Sequence, residues 1–476
     1  MELIYILFLT IVPIFLPSLW SDDYAAIINP ELFRNSLISD LRPIWALSSQ
    51  LTFDWLSKET FTWVPRILSS ICLLLIYLNL IGLVNPDKLS FKIRTIFLIT
   101  LSLPSISIFV HWLVFWQNAY ALLFSIIALR LCLQNSSFLS LAFSGFLFSI
   151  SLLIYPPSAF ASFALIALCI RFSWIKESSI TSVFLKLLTV TLVSSLGALM
   201  ISKQIGNLLG VTPSSRVTFT TIDQYSDKLI YLSKMFILPF NLASITRPST
   251  FPYLVITVTL MSIFFISHLK LIFLFGKEGC VRIVQLMSLL VVSMFPIVVT
   301  ADNQIEYRLI AGLSIYCTFT VLLSVITFAE NTLNKLTFLI RKDRILLSVE
   351  GLIVIPLILS LLLCNVRFLN FFHYHSTKAQ HFVQKSLLEC SNLGKYDSVV
   401  LVPIAESQQY QRIGVYSMKT DFASDWVPVN AFNYYNSQLA KPYKFTFSTE
   451  MKTLTPTTCL IELQDIEKIM KKTWIW

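Results

Sequence analysis

The chain has 476 residues, of which 55% are hydrophobic and 13% charged, and a formal net charge of +10. Soluble globular proteins carry about 25% charged residues. The low charge here, with a mean hydropathy of +0.73, excludes an ordinary soluble enzyme and points to a polytopic membrane protein.

In chain order the apolar runs predict about eleven spanning helices, roughly 3–19, 65–84, 95–112, 117–133, 138–155, 158–172, 183–202, 249–268, 283–300, 308–328 and 348–366. A transmembrane barrel does not fit, because its strands alternate polar and apolar over about ten residues. The first segment lacks a basic n-region and a small-residue cleavage site, so it reads as a retained span. Tyr155-Pro156-Pro157 divides the fifth span from the sixth, because proline removes a backbone donor.

Basic residues in the short loops set the orientation. Lys88, Lys92 and Arg94, then Arg171 and Lys176, then Lys270, Lys277 and Arg282, then Lys335, Arg341, Lys342 and Arg344 all fall on one side, assigned to the cytoplasm. The expected protein is a multi-pass membrane protein with a cytoplasmic N-terminus. Its long hydrophilic segments, 20–64, 203–248 and 367–476, then lie outside. The positive charge is spread along the membrane rim, which is not a nucleic-acid footprint. No Asp, Glu, Lys or Arg lies near the middle of a predicted span, which counts against an ion-coupled transporter. A lipid-linked saccharide flippase with an uncharged polar cavity stays open.

The first outer segment carries the most informative residues. Asp22-Asp23-Tyr24 follows the first span, and two adjacent carboxylates at a membrane surface are costly to desolvate. Either they solvate the end of the span, or one takes the proton of an attacking hydroxyl. Further on come Arg34 and Asp40-Leu41-Arg42-Pro43-Ile44-Trp45. Pro30 is expected to end a turn, and Pro43 to start a surface helix with Ile44, Leu47, Leu51 and Leu56 as its apolar stripe. Trp45 and Trp55 are expected at headgroup level. Arg34 and Arg42 are suited either to lipid headgroups or to a phosphate leaving group. The same side holds Trp116, Asn118 and Tyr155, which are interfacial belt residues or substrate contacts, and Glu306-Tyr307-Arg308. Arg308 is the best second phosphate ligand, since an arginine at a helix entry grips an anion bidentately.

Beyond residue 366 the chain changes character. A helix over 378–393 and short apolar runs at Ser398–Ile404 and Tyr443–Phe447 predict a small α/β domain over 367–476. Its only cysteines, Cys390 and Cys459, either pair in an oxidising compartment or remain two thiols. There is no Walker loop, GxGxxG, HExxH or CxxC motif, and His373 and His375 have no evident further metal ligand. A transferase working outside the cytoplasm without a nucleotide fold needs a lipid-carried donor.

Together these features resemble the polytopic C-type (GT-C) glycosyltransferases, and more narrowly the bacterial O-antigen glucosyltransferases of the Gtr type, the glucosyl transferase II family. The similar stretches are Asp22-Asp23-Tyr24, Leu41-Arg42-Pro43-Ile44, Trp116-Gln117-Asn118-Ala119-Tyr120, Leu153 to Ser158, and Tyr307 to Gly312. Leu41 stands where a glycine is usual, and Pro156 where a glutamine is expected. The resemblance covers most of the first 370 residues. It implies an all-α GT-C-like membrane domain over 1–366 that transfers glucose from undecaprenyl-phosphate glucose to an O-antigen sugar, with Asp22 or Asp23 as general base. It implies binding roles for Tyr24, Arg34, Arg42, Trp116, Asn118, Tyr155, Glu306, Tyr307 and Arg308, no obligatory metal or cofactor, and functional partnership with a flippase and a cytoplasmic donor-loading enzyme. An O-antigen polymerase is the neighbouring alternative.

Overall fold

The computed structural model describes residues 22–55, 63–111, 116–134, 137–175, 177–214, 217–218, 220–240, 251–300, 307–336, 377–378, 380–391, 395–402, 427–449 and 455–463. The predicted spans at 3–19 and 348–366, together with Glu306, His373 and His375, lie outside these residues.

Most described residues are helical. Three helices precede the bundle: α1 (Asp22–Ile28), α2 (Pro30–Ser39) and α3 (Pro43–Trp55). Pro30 opens α2 instead of ending a turn. Asn29 caps that helix, its Oδ1 accepting from the Leu32 N–H at 3.2 Å, and proline at the first helical position lacks only a donor that would have gone unpaired.

The bundle follows as α4 (Val64–Leu83), α5 (Phe91–Leu101), α6 (Pro104–His111), α7 (Trp116–Gln134), α8 (Phe138–Ile154), α9 (Pro156–Arg171), α10 (Glu177–Leu208), α11 (Tyr225–Ile237), α12 (Phe251–Phe275), α13 (Lys277–Ser293), α14 (Phe295–Val299) and α15 (Ala311–Leu336). Among the described residues five helices are long and apolar enough to cross a membrane: Val64–Leu83, Trp116–Gln134, Ile180–Leu208, Thr257–Phe275 and Ala311–Phe328. The chain is therefore a helical membrane protein. Large apolar side chains such as Leu192, Leu196, Met200, Phe273 and Val284 face outward from the bundle, as lipid-facing residues do.

Two expected spans are each split. The 95–112 run breaks into α5 and α6 at Ser102–Leu103, before Pro104. The 283–300 run breaks into α13 and α14 at Met294, before Pro296. In both places a proline cannot donate to the preceding turn. The Tyr155 break falls as expected: Tyr155 is extended (φ −155°, ψ 98°), its N–H ends α8 on Ser151 O at 2.8 Å, and Pro156 opens α9.

α9 is the central column, buried from Pro157 to Ile170 and packed by α7, α8, α13 and α15. Its alanines and serines permit close approach. The tightest point is Gly312 of α15, where an added Cβ would lie 2.6 Å from Ala161 Cα. Further along, His268 of α12 joins α15. Its Nδ1 lies 2.8 Å from Phe264 O and its Nε2 2.7 Å from Tyr316 Oη. Since the carbonyl only accepts, neutral His268 carries its proton on Nδ1, and Tyr316 donates to Nε2.

The C-terminal unit comprises α16 (380–391), β1 (Ser398–Val402), α17 (Val427–Ser437), β2 (Thr446–Ser448) and β3 (Thr458–Glu462). The sheet is parallel throughout, in the order β2-β1-β3. Its core, separate from that of the bundle, contains Val383, Leu387, Val399, Leu401, Phe432 and Tyr435. Cys390 and Cys459 form a disulfide that ties α16 to β3. Helix α17 packs on α1, and Ile27 rests against this second core.

Candidate active site

The expected site residues that are described lie on α1, α2, the α2–α3 turn, the first turn of α7, the residue before α9 and a 3-10 turn at Tyr307–Ile310. α1 packs on α2 and α3, while the 3-10 turn packs on α6 and α9.

The α2–α3 turn is the best-defined part. Asp40 caps α2, Leu41 N–H donates to Ile38 O at 2.9 Å, and Arg42 N–H reaches back to Leu37 O at 2.9 Å. This is a Schellman closure, which requires a left-handed residue at its centre. Leu41 occupies that place with φ 60°, a conformation that costs a non-glycine residue roughly 1–2 kcal/mol. A glycine would adopt it freely.

The turn holds Arg42 in a frame of three side chains. Its Nη1 lies 3.7 Å from Asp40 Oδ2. Its Cζ lies 5.4 Å from the Trp45 ring centroid and 5.2 Å from that of Tyr155. The two rings meet edge to face at 5.8 Å. Trp45 therefore does not face lipid headgroups: it is 1% exposed, and its indole forms a wall for the guanidinium. Cation–π contacts of this kind are worth about 0.5–2 kcal/mol each. Arg42 Nε is buried without a hydrogen-bond partner among the described residues.

The segment after α10 locks this turn from outside. Ser214 Oγ donates to Asp40 Oδ1 at 2.6 Å and Ser214 N–H to Ser39 O at 3.0 Å. Ser202 Oγ donates to Leu41 O at 3.3 Å. Further along, Thr220 N–H donates to Val299 O at 2.9 Å, tying the same segment to the end of α14.

Asp23 is fully buried on α1, and its carboxylate acts electrostatically on Arg66, itself 1% exposed in the first turn of α4. A buried charge without an opposite charge is strongly disfavoured, so the two support each other. Asp22 and Tyr24 lie in α1, and Tyr307 and Arg308 in the 3-10 turn. Arg34 holds α2 to α3, with Nη1 3.2 Å from Gln50 Oε1 and Nε 3.3 Å from Asn35 Oδ1.

On α7, Trp116 meets Tyr120 edge to face at 5.6 Å, and Trp116 Nε1 has no partner among the described residues. Gln117 Nε2 donates to Ser49 Oγ on α3 at 3.0 Å. Asn118 is fully buried with both amide atoms unpaired among the described residues. Leaving a buried polar group unsatisfied costs about 1–3 kcal/mol.

Sequence reasoning did not single out Arg66, Asp40, Ser214, Gln117 or Ser158 as site residues. Asp40, Gln117 and Ser158 stand inside or beside the quoted motifs. Arg66 is signalled only as a charge at the edge of an apolar run. Nothing in the sequence signals Ser214. Among the described residues no group of His, Cys, Asp or Glu is placed to hold a metal ion. No protein-family model matches the chain, and no curated protein matches it.

Proposed function

We propose that the chain is a GT-C-like membrane glycosyltransferase with eleven spans, moving glucose from undecaprenyl-phosphate glucose to a sugar hydroxyl of O-antigen on the periplasmic face. The observation that carries this reading is the fully buried Asp23 carboxylate, whose charge acts on the buried Arg66 guanidinium, on a helix, α1, that packs against the Arg42-bearing α2–α3 unit. The Cys390–Cys459 disulfide supports an oxidising, periplasmic location for the C-terminal domain.

In the reaction an acceptor hydroxyl oxygen attacks the anomeric carbon and forms the new glycosidic bond. The bond from that carbon to the phosphate oxygen breaks, and undecaprenyl phosphate leaves with the electron pair. The hydroxyl proton passes to the carboxylate of Asp22 or Asp23, a contribution of about 10²–10⁴-fold. Arg42, with Arg308 from the 3-10 turn, neutralises the leaving phosphate. The single displacement inverts the anomeric centre and needs no metal. A flippase and a cytoplasmic enzyme that loads the lipid supply the donor.

The test is transfer by purified protein in proteoliposomes containing undecaprenyl-phosphate glucose and an O-antigen acceptor. At least one of Asp22→Asn and Asp23→Asn is expected to abolish transfer while the protein still inserts. Full activity in both single variants and the double variant would overturn the reading.

A further inference from the structure

Unpaired polar atoms gather where α3, α7 and α9 meet. Asn118 offers Oδ1 and Nδ2, Gln117 offers Oε1, and Ser158 in the first turn of α9 offers Oγ; none of these atoms has a partner among the described residues. Asn118 and Ser158 are fully buried and Gln117 is 2% exposed.

Four links bring their elements to one level. Ser151 Oγ donates to Ala121 O at 2.6 Å, and Ser125 Oγ donates to Ala159 O at 2.8 Å. The start of α9 therefore packs beside the second and third turns of α7, next to the turn that carries Asn118. Gln117 reaches α3 through Ser49, and the Trp45–Tyr155 contact joins α3 to the start of α9.

The chemistry of the unused atoms is mixed. Asn118 Nδ2 donates, Asn118 Oδ1 and Gln117 Oε1 accept, and the Ser158 hydroxyl does both. An anion needs donors alone, and a lipid chain needs neither. A group bearing several hydroxyls satisfies both kinds at once. Anion-type chemistry lies instead at Arg42, whose buried Nε also lacks a partner among the described residues.

We propose that Gln117, Asn118 and Ser158 form a hydroxyl-reading subsite for a neutral hexosyl group, with the anionic part of the same ligand held by Arg42. The assignment rests on the transferase reading, in which the hexosyl group belongs to the lipid-phosphate donor. The subsite then sets which sugar is transferred.

The experiment uses the full chain in nanodiscs. Its probes are citronellyl-phosphate glucose and the 2-, 3-, 4- and 6-deoxy versions, with transfer to acceptor and ligand-induced melting shifts as readouts. The wild type is expected to disfavour at least one deoxy donor by roughly tenfold in kcat/KM. Asn118→Leu is expected to lose that discrimination, whereas its unliganded melting temperature stays at or above wild type, because an unpaired buried amide is replaced by an apolar group of similar volume. Ser158→Ala, a milder change, is expected to lose discrimination at a different hydroxyl. A lower melting temperature in Asn118→Leu with donor preference intact in both variants would make these residues structural and overturn the subsite alone. A wild type that neither binds nor transfers any of the sugar phosphates would overturn the subsite and the transferase reading together.

Discussion

Arg42 owes its position to a turn, two rings and one carboxylate. Asp40 at 3.7 Å supplies charge, and Ser214 fixes Asp40 from the other side at 2.6 Å. Trp45 and Tyr155 face the planar guanidinium, which lysine cannot replace at a forked or stacked site. Arg42→Lys is expected to lower kcat/KM for transfer by tenfold or more with little change in melting temperature; wild-type kinetics in that variant would remove Arg42 from the site. At Leu41 the expectation runs the other way. Leu41→Gly relieves a left-handed leucine (φ 60°) and is expected to stabilise the protein by about 1 kcal/mol, part of the gain being lost to the freedom of glycine in the unfolded chain. A denaturant midpoint below wild type would contradict it. The motif from Asp40 to Trp45 was legible in the sequence, but its geometry was not. The left-handed turn is invisible when leucine replaces glycine, and Ser214 lies 174 residues from its partner. Trp45 was misread because an aromatic near an apolar run reads equally as belt or core.

Among the elements, helices long enough to cross were the most legible, since their apolar runs extend over complete turns. The split spans at Pro104 and Pro296 were less so, because a run of apolar residues hides a break that only proline announces. Gly312 shows how an element fixes the site. It lets α15 lie against Ala161 of α9, and the 3-10 turn carrying Tyr307 and Arg308 leads directly into α15. Gly312→Ala is expected to cost about 1–3 kcal/mol through overpacking and to lower activity with it; unchanged thermal stability would show that the helices can part freely. In the C-terminal unit, β3 escaped notice because Thr458–Glu462 shows little apolar alternation, whereas β1 is a continuous apolar run. The disulfide closes a sequence separation of 69 residues, for which loop closure predicts about 4 kcal/mol. Reduction is expected to lower the melting temperature of this unit, and no shift would argue against a structural role. Burial pushes the Tyr434 phenol above its ordinary value. The unfolded chain therefore ionises first, so the stabilising contribution is complete below about pH 10 and is lost as pH rises beyond it. Alkaline melting curves of Tyr434→Phe should lack that loss.

At the scale of the whole molecule, α1 links the two units. It bears Asp22 and Asp23, packs on α2 and α3, and rests Ile27 against the core of the C-terminal unit. The C-terminal unit thereby supports the acidic helix, a role that composition alone did not suggest: the sequence divided the chain near residue 366 but gave no sign of which helix the second unit would meet. The proposed reaction is transfer of a hexose through the acidic helix. Its most direct test is expression in an O-antigen-bearing bacterium supplied with undecaprenyl-phosphate glucose, beside the Asp22→Asn, Asp23→Asn double variant, with the released polysaccharide repeat weighed by mass spectrometry. The account predicts a gain of one hexose per repeat that disappears in the variant. An unchanged repeat mass with the donor proven present, or a gain that persists in the variant, would contradict it.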